Sequence, residues 1–224
     1  KELKLLNRIL PILKQAEIDA VICWDFAVID LCEKLMIPIH LSTQASVSNS
    51  QAILTLKNKF KNIERIILAR ECSLEDIQEI KQKTKLEIEV FVHGARCISY
   101  SGRCFMSQEL FNKSANRGEC LQPCRREYKV IDEENKEMIL DNNFVMSAKD
   151  LCALPLLPKI VELNIDCIKI EGRNRGADYV YTVVSAYREA LEAIKKHQFN
   201  EQLVEILIEK LKTVYNKEFS TGFL

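Results

Sequence analysis

Short apolar runs alternate with segments of helical period along most of the chain, and this alternation limits what it can fold into. The apolar runs cover 18–24, 37–41, 65–69, 86–92, 144–147 and 166–170. Helical spacing fills the intervals at 27–35, 50–60, 74–83, 150–163 and 178–197. An opening helix covers 2–15, with Pro11 set to kink it or to begin a second helix, and a last helix covers 201–215. Ser73 with Asp76, and Asp150, read as helix N-caps. Strand–helix repetition at this pace predicts parallel strands joined by right-handed crossovers. After Cys124 the rhythm breaks, and 127–132 and 136–140 flank Glu133-Glu134-Asn135 as an inserted antiparallel hairpin.

The count is six strands. A doubly wound sheet usually carries a glycine-rich first turn, which this sequence lacks. A (β/α)8 barrel needs eight strands. The expectation is an α/β, TIM-type partial barrel lacking about the first two βα units, whose open edges a partner or a longer chain would close. Residues 1–198 would form this partial barrel, with a cysteine-rich insertion at 94–143. Residues 199–224 would supply a C-terminal helix and the start of a truncated extension.

Cysteine usage singles out one loop. Cys97, Cys104, Cys120 and Cys124 are four of nine cysteines and fall within 28 residues, near Gly94, Gly102, Gly118 and Pro123. Thiolates suit soft or borderline metals, and four complete a coordination sphere. Spacers of six, fifteen and three residues are irregular for structural zinc and acceptable for an iron–sulfur cluster, so both metals stay open. Cys23, Cys32, Cys72, Cys152 and Cys167 read as core residues; Cys23 and Cys167 sit in apolar strand-like runs and Cys32 and Cys152 in helix-like ones. The odd total and the absence of a secretory segment argue against a disulfide framework. His93, just before the loop, could be a ligand or a donor to one.

Lys and Arg total 32 against 32 Asp and Glu, so no global field draws the chain onto nucleic acid. No apolar run is long enough to cross a bilayer, and the charged amphipathic opening Lys1-Glu-Leu-Lys-Leu-Leu6 is unlike a signal peptide. These features predict a cytoplasmic protein with no membrane partner.

In a barrel, chemistry gathers at the carboxyl ends of the strands. Those ends offer His40, Arg70, Glu71, Lys169 and Glu171 as candidate catalytic residues. Alternation places Lys169 and Glu171 on one face, opposite Ile168 and Ile170. The competing reading is a structural ion pair, Lys169–Glu71 or Arg70–Glu171. Arg103, Arg125, Arg126 and Arg173 form a local basic rim suited to phosphate, with Tyr100, Phe105 and Tyr128 interleaved for stacking on an unpaired base. Protease motifs of the His-Glu-x-x-His and Gly-x-Ser-x-Gly types are absent.

The run Glu89-Val-Phe-Val-His-Gly-Ala-Arg-Cys97, followed by Ser101-Gly-Arg-Cys104-Phe-Met-Ser107, resembles the signature of the collagenase-like peptidase family U32. The blocks at 40–45, 68–71, 118–120, 124–128, 147–151 and 169–173 follow in that family's order and spacing. Arg96 departs from the pattern, which has an apolar residue there. The resemblance implies a barrel whose first two strands lie upstream. It also implies kinship with bacterial tRNA hydroxylation proteins, which form 5-hydroxyuridine at the wobble position by a prephenate-dependent route. Related proteins with 4Fe–4S clusters would make Cys97, Cys104, Cys120 and Cys124 the cluster ligands. The leading expectation is thus an iron–sulfur enzyme acting on a tRNA anticodon loop. A collagenase-like peptidase is the second reading. The third is a zinc-stapled, non-catalytic chain paired with a second family subunit.

Overall fold

The computed structural model describes residues 1–138 and 143–224. Its elements in chain order are α1 (Glu2–Gln15), β1 (Val21–Cys23), α2 (Phe26–Lys34), β2 (Ile39–Leu41), α3 (Ser50–Lys59), β3 (Ile63–Ile67), α4 (Leu74–Lys83) and β4 (Glu87–Gly94). There follow α5 (Met106–Phe111), β5 (Asp150–Cys152), α6 (Leu157–Glu162), β6 (Cys167–Ile170), α7 (Ala177–Lys195), α8 (Glu201–Lys212) and β7 (Phe219–Ser220).

The result is a mixed α/β fold around a mostly parallel sheet. β1, β2, β3 and β4 pair in that order, all parallel, and β6 joins β4 in parallel. β5 adds antiparallel to the end of β4 through His93 and Gly94, and β7 pairs parallel with β5. Among the described residues the sheet branches at β4 and its pairing path stays open. β4 is the hub, and it is buried from Ile88 to Gly94, as a strand flanked on both sides must be.

Local chemistry explains the helix starts. Ser73 Oγ accepts from the Asp76 N–H while the Asp76 carboxylate accepts from the Ser73 N–H, closing a capping box on α4. Asp25, Asn49 and Asn200 cap α2, α3 and α8 in the simpler way. Pro11 lies inside α1, which runs unbroken from Glu2 to Gln15.

Alternation along the strands separates two faces. Ile39, Leu41, Ile66, Ile88, Val90 and Val92 pack under the helices with Ile29, Ile53, Ile77, Val183, Tyr187 and Leu211. The opposite face carries a small apolar patch of Ile67, Phe91 and Leu151, against which Leu224 packs. Beside it runs an ionic belt. Arg65 bridges Glu87 at 2.7 Å and Glu89 at 3.3 Å, and Lys169 reaches Glu89 at 2.7 Å.

Three sequence expectations change. The fifth strand lies at 150–152 and runs antiparallel; 144–147 holds turns. Asp150 is therefore a buried strand residue and not an N-cap, and α6 begins at Leu157 after a tight turn over Leu154–Leu156. The cause is an unbroken apolar run, 151–157, whose lack of period hides the switch from strand to helix. A seventh strand, β7, is two residues long and left no periodic signal. The hairpin is present over 130–138, where Met138 N–H donates to the Val130 carbonyl (2.9 Å) and Asp132 N–H to the Lys136 carbonyl (3.0 Å). Residues 139 and 140 of its expected second strand lie outside the described residues.

Candidate functional site

The cysteine loop is fastened over the carboxyl ends of β2, β3, β4 and β6, where the strands hand over to loops. Gly94 ends β4 with φ +113°, and a Cβ there would stand 2.4 Å from the Glu171 carbonyl oxygen just past β6. Gly102 sits against the backbone of Gln44, past β2, where a Cβ would lie 2.2 Å from its carbonyl oxygen. The Gln44 amide reaches the Ala115 carbonyl and Asn116 Oδ1, both at 3.5 Å, and Asn116 Nδ2 donates to the Gly102 carbonyl at 3.2 Å.

The ends of β3 and β5 supply two anchors. Glu71 accepts from the Ser101 backbone N–H and, at 2.9 Å, from the Ser101 hydroxyl, whose oxygen accepts the Arg70 N–H at 3.1 Å. This knot lies between Cys97 and Cys104. Arg125, the residue after Cys124, forms a 2.7 Å ion pair with Asp150 on β5 and donates to the Arg96 carbonyl at 3.3 Å. Loop segments carrying Cys97, Cys104 and Cys124 are thereby tied to the sheet.

All four loop cysteines are half-buried free thiols. Burial pushes the Cys97 thiol up, and the neighbouring Cys104 and Cys120 add to this while Ser99 and Arg70 oppose it. Burial likewise raises Cys124, with Cys97, Cys120 and Cys104 contributing against Arg125. The four thiols thus stand within electrostatic range of one another. Among the described residues no three His, Cys, Asp or Glu side chains form a preassembled metal-holding group. The donor chemistry still fits a four-thiolate centre: four half-buried thiols lie on one anchored loop, and a bound cation would stabilise their thiolate forms.

A cleft of about 820 Å³ opens beside Cys97, with Arg70, Glu71, Arg96, Tyr100 and Phe223 in its wall. The candidates from sequence separate accordingly. Arg70 and Glu71 border the cleft, while Glu171 borders an adjoining cavity of about 30 Å³ that Arg70 and Arg96 share. Lys169 instead neutralises Glu89 in the ionic belt. His40 pairs across the sheet with Arg65, and burial, then Arg65, holds its imidazole below the ordinary histidine range. Neither His40 nor Lys169 lines the cleft. Neither of the ion pairs read from sequence, Lys169–Glu71 or Arg70–Glu171, forms among the described residues; Lys169 pairs with Glu89.

Two further expectations are corrected. Arg125 is buried against Asp150, so it anchors the loop and does not belong to an exposed basic rim. His93 turns away from the cysteines into an aromatic cage of Tyr179, Tyr187 and Phe219, with ring centroids 5.5–6.1 Å away. A register irregularity between Phe91 and His93 accompanies this inward turn. Arg103, Arg126 and Arg173 remain exposed; Arg126 lies 4.8 Å over the Phe111 ring, and Arg173 packs against Gly118. Sequence reading passed over Ser101, Arg65 and Phe223, whose roles depend on partners far along the chain.

The fold and site together define an α/β protein with a cysteine-rich, arginine-bordered mouth at the strand ends. The profile of Peptidase family U32 matches residues 1–224, and the chain belongs to that family. It is 41% identical to an uncharacterized protease of Methanocaldococcus jannaschii over 230 residues, covering 99% of this chain and 55% of that one. A collagenase of Porphyromonas gingivalis is 34% identical over 235 residues, covering 100% and 56%. The tRNA hydroxylation protein P1 of Bacillus subtilis is 37% identical over 221 residues, covering 96% and 52%. The chain therefore spans little more than half the length of these relatives. Among the described residues no helix is long and apolar enough to cross a membrane.

Proposed function

We propose that this chain is the cysteine-bearing part of an iron–sulfur RNA hydroxylase. Its substrate would be a wobble uridine in a tRNA anticodon loop, converted to 5-hydroxyuridine by a prephenate-dependent route. The observation that carries the reading is the placement of Cys97, Cys104, Cys120 and Cys124 on one anchored loop beside an arginine-lined cleft. The name of the Bacillus subtilis relative supports the RNA substrate. In the whole protein the sheet would close as a (β/α)8 barrel, with 1–198 as its partial barrel and 199–224 leading into an extension.

A 4Fe–4S cluster on the four thiolates would supply one-electron chemistry. The chain's own residues do the positioning. Glu71 and Asp150 hold the loop through Ser101 and Arg125. Exposed Arg103, Arg126 and Arg173 offer charge to the RNA backbone, and exposed Tyr100 and Phe105 offer faces on which an extruded base stacks. The cleft, about 820 Å³, has room for such a base.

The names of two relatives favour a second reading as a collagenase-like peptidase. Geometry gives it less support, since the nearest histidine in sequence to Cys97, His93, is caged in the core and forms no dyad with that thiol. A third reading, a zinc-stapled chain that pairs with a second family subunit, shares the same four cysteines. Two experiments separate the first two. A strain carrying Cys104→Ser in the full-length protein should lose the hydroxylated nucleoside from its tRNA digest; unchanged nucleoside levels sink the RNA reading. Gelatin cleavage by purified protein that disappears with Cys97→Ala would instead support the peptidase.

A further inference from the structure

Two guanidinium groups at the head of the cleft have no carboxylate partner among the described residues. Arg70 and Arg96 border both the 820 Å³ cleft and the 30 Å³ cavity beside it, so they stand at the junction of the two. Each lies on an aromatic face, Arg70 at 4.4 Å over Phe91 and Arg96 at 5.0 Å over Phe223. Among the described residues neither comes within 4.0 Å of a carboxylate oxygen. Arg70 Nε is buried without a hydrogen-bond partner. Arg96 reaches Ser220 Oγ at 3.3 Å with one nitrogen.

The acids nearby are already engaged. Glu71 gives both carboxylate oxygens to Ser101. Glu171, beside the smaller cavity, accepts the Arg173 N–H at 2.9 Å. Ring contacts alone return little to a cation withdrawn from water, small against the cost of leaving a sheltered charge unpaired. An arginine fork matches the paired oxygens of a carboxylate or phosphate, and two forks at one spot favour such a group strongly.

We propose that Arg70 and Arg96 form a two-guanidinium subsite that binds an oxyanion, the carboxylate or phosphate group of a ligand entering the cleft beside Cys97. Aromatic stacking holds the two planes and leaves their N–H edges for the ligand. The subsite names the group this cleft grips, and it stands whether or not RNA is hydroxylated here.

The test is a calorimetric titration of the 224-residue chain, without added iron, using acetate, malonate and inorganic phosphate at fixed ionic strength. Saturable binding of at least one anion is expected, weakened about ten-fold or more by Arg96→Leu and by Arg70→Gln. Arg96 is only partly buried, so its variant reads the subsite even if the Arg70 variant fails to fold. A short oligoribonucleotide that displaces the bound anion in the parent chain, and binds less tightly to Arg96→Leu, assigns the subsite to backbone phosphate. Failure to displace assigns it to a small free anion, and either result supports the subsite. No saturable binding, or equal binding by parent and Arg96→Leu, overturns it. Because no nucleoside product or cluster enters the readout, failure here is distinct from failure of the RNA reading.

Discussion

Arg125 and Asp150 close a 2.7 Å ion pair with side chains only 5% and 2% exposed, joining the residue after Cys124 to the first residue of β5. Asp150 also accepts the Lys217 N–H at 3.2 Å through its other oxygen, and Arg125 Nη1 is buried without a hydrogen-bond partner. The pair is thus sheltered and incompletely satisfied. Such a pair adds little stability over a well-packed apolar couple, but removing one member strands the other. Asp150→Asn should lower unfolding stability by about 3–5 kcal/mol. The double variant Asp150→Asn, Arg125→Met should recover a large part of that. Urea denaturation of the two proteins reads this directly, and equal losses would mean that the pair's charge is irrelevant.

His93 gives the fold a pH dependence. It is 2% exposed, and burial holds its imidazole down at about 4, with Asp150 opposing. The unfolded chain binds the proton near the ordinary value of about 6.5, and the folded chain resists it. The neutral form's contribution is therefore complete above about pH 6.5 and is lost as the pH falls toward 4, amounting to about 3 kcal/mol. Stability measured against pH should fall across that window in the parent and flatten there in His93→Leu. Proton NMR should show the His93 imidazole titrating at about 4. An ordinary titration at His93 would contradict the cage.

Gly94 and Gly176 make a paired comparison. At Gly94 the backbone is left-handed (φ +113°), and a Cβ would strike the Glu171 carbonyl oxygen at 2.4 Å, backbone against backbone. Gly94→Ala should cost more than about 2 kcal/mol and loosen the junction of β4 and β6. At Gly176, the N-cap of α7, nothing lies within 4 Å of a Cβ. Gly176→Ala should stay within about 1 kcal/mol of the parent. Equal effects at both positions would show that the close approach at Gly94 is relieved at no cost.

What was legible in the sequence was what neighbours decide. The α4 limits followed from Ser73, Asp76 and the helical period, and α1 was placed to the residue. Long-range partners were not legible. Asp150 has the composition of an N-cap, and partners distant in sequence, Arg125 and the Lys217 N–H, hold it as a buried strand residue. His93 sits four residues before Cys97, but a register irregularity in β4 turns it into the core. The cysteine loop could be located because thiol density survives without geometry. What fastens it, Glu71 to Ser101, required the end of β3 and the loop to be seen together.

The nine cysteines allow a sharp test of which thiols act as a group. Cys97 and Cys124 are each influenced by the other loop thiols, whereas Cys72 is buried and pushed up to about 12, chiefly by burial. Cys167 lies on β6 beside Glu89. After anaerobic purification the parent chain should carry about four irons and four sulfides with a broad brown absorbance. Serine at 97, 104, 120 or 124 should each remove most of the iron, because one missing ligand leaves the remaining thiolates unable to complete the sphere. Serine at 72 or 167 should leave iron content and colour unchanged, any loss showing in stability instead. One zinc and no colour, with the same four variants losing it, would make the loop a structural staple. Function would then rest on Arg70, Arg96 and the cleft, which do not depend on the metal's identity. Retention of metal by all four serine variants would remove the loop as a metal site altogether.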